Sequence, residues 1–107
     1  MELIKAIKER RTIRKFKPDP VPRELLEQLI QGAMWAPSAM NEQPWKFYVL
    51  TGAAKADLAH IAEGCIEKLD LRMQKLFNEK MRTMVRGYFK DFGGAPAVVV
   101  VVTRMPE

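Results

Sequence analysis

Arg10, Arg11, Arg14, Lys15 and Lys17 crowd cations into a short stretch near the start of the chain. Guanidinium groups present planar forks that match phosphate oxygens, and the Thr12 hydroxyl adds a further donor. In extended backbone alternate residues share a side, so Arg10, Thr12 and Arg14 would line up opposite Arg11 and Ile13. Such a row is a rail for an anion. The same residues equally fit a solvated helix C-terminus, where basic side chains favour the dipole and touch nothing. The second candidate is the loop Pro37-Ser38-Ala39-Met40-Asn41-Glu42-Gln43-Pro44-Trp45. Its small residues admit a ligand close to the backbone, and Ser38, Asn41 and Gln43 bring uncharged donors and acceptors. A flat heteroaromatic with carbonyls and ring nitrogens suits such groups. An ordinary helix-to-strand connection has the same composition.

The elements that would position these stretches follow from pattern. Residues 2–9 place Leu3, Ile4 and Ile7 on one face of a short helix. Pro18, Pro20 and Pro22 then forbid continuous helix and favour extended backbone. Residues 22–36 read as a second helix with Leu25, Leu26, Leu29, Ile30 and Ala33 on one face, stopping before Pro37. Residues 45–51 are β-branched and aromatic, a strand ended by Gly52. From Ala53 to about Phe89 the composition is helical, with a break expected at Gly64 and an end in the Gly87 and Gly93–Gly94 region. The run 97–103, AVVVVVT, does not alternate, which predicts a strand buried on both faces. The order is helix, loop, helix, strand, two helices, strand: an α+β or α/β domain. A strand buried on both faces needs neighbours at its edges, so another chain or a longer polypeptide must supply them.

The composition bounds the rest. With 107 residues the chain is one domain, and 48% hydrophobic against 29% charged residues exclude a disordered polymer. Eighteen basic and 13 acidic residues give a net charge of +5, which admits nucleic acid, an anionic membrane surface or a phosphorylated small molecule. No apolar run is long enough to span a bilayer, and the N-terminus lacks the apolar stretch of a signal peptide. One cysteine, Cys65, excludes an internal disulfide and fits a reducing compartment, so the cytoplasm is expected. His60 is the single histidine and reads as a surface or partly packed residue, so no metal site is expected. Met73, Met81 and Met84, with Leu69, Leu76, Phe77 and Val85, form a helical stripe suited to core or dimer packing. The cations between Lys68 and Arg86 are interleaved with Glu67, Asp70 and Glu79, the pattern of a solvated face rather than a nucleic-acid surface. Trp35 and Trp45 flank the loop and are expected to anchor its ends by burial.

Taken together, the two candidate stretches resemble one family. The segment RRTIRKFKPDPVPRELLEQLIQGAMWAPSAMNEQPWKFYVLTG, residues 10–52, and more loosely the continuation to GAPAVVVVVT, is similar to the nitroreductase family of FMN-dependent oxidoreductases. The resemblance implies an α/β sandwich, a central sheet flanked by helices, with FMN at a homodimer interface. It implies Arg10, Arg11 and Thr12 at the phosphate and ribityl end and Arg14 beside the pyrimidine edge of the ring. Pro37, Ser38, Ala39 and Asn41 of the other subunit would cover the ring, with Met40 and Gln43 nearby. NADH or NADPH would reduce the flavin, and a small acceptor such as a nitroaromatic or quinone would take the electrons. The implied site needs no nucleophile or general acid from the chain; Arg14 would act as an electrostatic stabiliser of the reduced ring. Nucleic acid and membrane are not implied partners. Family members are longer, with further strands, a late basic residue for the phosphate and a C-terminal extension, so this chain carries the first half of the pattern. The reading that stands against it is a non-catalytic basic module, binding nucleic acid or a complementing subunit through residues 10–17.

Overall fold

Proline sets the first boundaries. The computed structural model describes residues 2–104, and its first helix, α1, runs Leu3–Glu9. Residues 10–22 follow without regular structure, as three prolines without amide donors require. Helix α2 is Arg23–Ala33, with Pro22 at its cap and Glu24 in its first turn. It stops three residues short of the expected end at 36. Pro37 disfavours helical backbone at the residue before it, and residues 34–36 form turns instead.

Strand β1, Trp45–Leu50, pairs antiparallel with β2, Val98–Thr103, so that Phe47 stands opposite Val101 and Tyr48 opposite Val100. The Arg104 amide extends the ladder by donating to the Pro44 carbonyl at 3.3 Å. The two strands form a two-stranded sheet. The expected burial of β2 on both faces is not reached in this chain. Val99 and Val101 on one face and Val102 on the other are exposed, because two strands are too few to cover either face.

Three helices, not the expected two, join the strands: α3 (Gly52–Lys68), α4 (Asp70–Leu76) and α5 (Glu79–Asp91). Gly64 does not break α3. It lies inside the helix with no heavy atom within 4 Å of where a Cβ would stand, and a helical glycine costs only about 1 kcal/mol relative to alanine. The break falls at Leu69, whose amide donates back to the Cys65 and Ile66 carbonyls. Gly87 likewise lies within α5. Asn78 caps α5, its Oδ1 accepting from the Met81 amide at 2.9 Å. Asp70 at the start of α4 ties that helix to α5 through an ion pair with Arg86 and also accepts from Gln74 at 3.0 Å.

The core is small. Ala59 and Ile66 of α3, Met73 of α4 and Ala95 are its buried apolar residues among those described. Of the methionine stripe only Met73 is buried; Met81 and Met84 stay exposed. Tyr88, Phe89 and Phe92 close the end of α5 as an edge-to-face cluster, with ring centroids 5.0 to 6.3 Å apart.

Candidate functional site

Residues 10–17 leave α1 without regular structure and are exposed throughout. A Thr12 hydroxyl within reach of Arg10, Nη1 to Oγ1 3.3 Å, places these two side chains on one side as alternation requires. Arg11 turns back instead, donating to the carbonyls of Lys8 at 3.0 Å and Arg10 at 2.9 Å. Arg14 has no side-chain hydrogen bond among the described residues, and none of the three arginines pairs with a carboxylate. Guanidinium groups without carboxylate partners remain open to an anion.

The loop is built differently. Ser38 Oγ accepts from the Gln43 amide at 3.0 Å, drawing the two ends of the turn together. The hydroxyl hydrogen of Ser38 stays available to donate. Between them Ala39–Asn41 form a single 3-10 turn. Met40, Asn41 and Gln43 all have φ between 50° and 54°. Asparagine tolerates that region; methionine and glutamine do so at a cost, and such strain concentrates where binding requires it. Met40 is 91% exposed, so burial of its side chain does not hold the strain in place.

Trp35 is not the buried anchor expected: it is 89% exposed, while Trp45 is half-buried in β1. Trp35 lines, with Gln31, Met34 and Gln43, an open groove of about 320 Å³ beside the loop. Gln31 and Met34 escaped the reading of the sequence, and Trp35 was read only as an anchor, although their i, i+3, i+4 spacing around the end of α2 already puts them on one side. A second groove of about 320 Å³ lies between α3 and α5, lined by Glu63, Ile66, Glu67, Arg86 and Lys90. Its two acidic and two basic residues balance, and none belongs to either candidate stretch. The groove beside the loop is the one that adjoins the chemistry. Among the described residues no hydrogen bond or ion pair joins the arginine segment to the loop.

His60 and Cys65 are exposed, and no cluster of His, Cys, Asp or Glu suited to a metal occurs among the described residues. No helix among them is long and apolar enough to cross a membrane.

An α+β chain with an open guanidinium segment and a strained loop of small and amide side chains is thus defined by fold and site together. The model of the nitroreductase family matches residues 7–107. A 4-nitrobenzoate reductase of Pseudomonas putida is 33% identical, covering 88% of this chain and 54% of that protein. Among solved structures, a BluB-like flavoprotein from Clostridium difficile 630 superposes with a TM-score of 0.68 at 27% identity, covering 99% of this chain and 50% of the other. The FMN-dependent nitroreductase NfnB from Mycobacterium smegmatis, solved with NADPH, gives 0.66 at 27% identity, over 94% and 58%. The chain belongs to the nitroreductase family. It spans about half the length of these relatives.

Proposed function

We propose that this chain forms part of an FMN-dependent, NAD(P)H-consuming oxidoreductase that passes electrons to a nitroaromatic, quinone or similar small acceptor. The single observation that carries the reading is the open guanidinium segment, set with the strained loop inside a family match spanning nearly the whole chain. FMN, when bound, supplies the ring that accepts and gives up hydride. The protein's part is binding and electrostatics. Arg10, Arg11 and Thr12 hold the phosphate and ribityl end through charge-assisted bonds, and Arg14 favours negative charge on the ring. Pro37, Ser38, Ala39, Met40, Asn41 and Gln43 of a second copy cover the ring without charge, so the working unit is a homodimer. Its place is the cytoplasm.

Titration of the purified chain with FMN tests this. Uptake of flavin, seen as oxidised-flavin absorbance, is expected. Arg14→Ala should weaken binding about 10- to 100-fold, the loss of one charge-assisted contact. A colourless chain of confirmed mass that takes up no FMN overturns the reading. So does an affinity for nucleic acid that falls steeply with salt and exceeds that for FMN.

A further inference from the structure

The arginine segment is held to the rest of the molecule at one backbone point. Among the described residues, the only backbone hydrogen bond made by residues 11–21 runs from the Phe16 amide to the Gly93 carbonyl, at 2.9 Å. Gly93 stands at φ +69° in the turn after α5. A Cβ there would overlap the Arg14 carbonyl oxygen and come within 2.8 Å of the Arg14 carbonyl carbon. Those are main-chain atoms with no rotamer to swing aside, so any side chain at Gly93 must push the Arg14 peptide away. The turn itself is fixed from beneath. Lys55, in the first turns of α3, donates its ammonium to the Ala95 carbonyl at 2.6 Å, and Ala95 is buried. On the other side the Phe92 ring packs edge-on against Tyr88 and Phe89.

We propose that Gly93 is a positioning residue for the anion-binding segment. By admitting the Arg14 peptide against its own backbone, it sets the height at which Arg10, Thr12 and Arg14 leave the body of the protein. Lys55 serves the same end by pinning the turn. The inference rests on the reading that residues 10–14 contact FMN, and it adds the element that aims them.

Gly93→Ala in the full chain tests it with two readouts. Without FMN, the Phe16 amide should exchange with solvent faster than in the wild type, while amides within α5 keep their protection. With FMN, the dissociation constant should rise about 10-fold or more, as when one charge-assisted contact is displaced. Helical circular dichroism should stay unchanged. Lys55→Met removes the pin without touching the clasp and should shift both readouts the same way by a smaller factor, which keeps the test alive should Gly93→Ala fail to fold. Gly64→Ala, a glycine facing open space, is the control that should bind FMN normally. A folded Gly93→Ala chain with wild-type Phe16 exchange and wild-type FMN affinity overturns the proposal. If Arg14→Ala weakens FMN binding and Gly93→Ala does not, the positioning role alone falls. If Arg14→Ala has no effect, the flavin reading falls first.

Discussion

Methionine in the left-handed backbone region crowds its Cβ against the following carbonyl, at about 1–2 kcal/mol. Met40 stands there at φ 54° with its side chain in solvent, so nothing visible in this chain repays the cost. Met40→Gly should therefore stabilise the chain by about 1 kcal/mol and raise its melting temperature by about 4 °C. A drop in melting temperature would show that the side chain is packed in the working assembly. The two candidate stretches were legible because their signals are local: residue type, spacing and proline lie within a few positions of each other. What holds them was not. The clasp between Phe16 and Gly93 joins residues distant in the chain, and glycine pairs read from sequence as helix ends, not as a seat for another peptide.

At the scale of elements, glycine misled in the opposite sense at position 64. A single helical glycine costs about as much as one tertiary contact supplies, so α3 runs through it and ends at Leu69. Packing of α3 against α5 outweighs the local preference. Because a Cβ at Gly64 meets nothing within 4 Å, Gly64→Ala should add about 0.5–1 kcal/mol, read as a higher denaturation midpoint at unchanged slope. A loss of stability would mean that a surface outside this chain packs onto that side of α3. The first two helices followed from the spacing of apolar residues and the strands and later helices from composition, and their ends moved by a few residues where caps and prolines decide. Burial of Trp35 and of β2 was misjudged for a common reason. Aromatic and valine-rich stretches state that a surface is to be covered, and not which chain covers it.

The whole molecule makes that last point quantitative. Its accessible surface is 9575 Å², whereas a compact monomer of 12.3 kDa exposes roughly 6,100 Å². The radius of gyration, 16.7 Å, likewise exceeds the roughly 13 Å of a compact domain of this length. The excess on one copy, roughly 3,500 Å², is larger than the roughly 1,000–2,500 Å² that each partner buries in an obligate interface. Leu3, Ile7, Leu29, Leu71, Leu76 and Val101 are among the apolar side chains it exposes. With so few buried residues, folding of these residues alone can offset little of the chain entropy, and further surface, from a longer polypeptide or another copy, must contribute the remainder. Where a second copy does the covering, as proposed above, mass action ties stability to concentration. The melting midpoint of the purified chain should climb as protein is raised over a hundredfold range, and binding of an apolar dye should fall over the same range as exposed surface is covered. A midpoint independent of concentration, with no dye bound even at the lowest, would show that this surface closes on itself within a single copy.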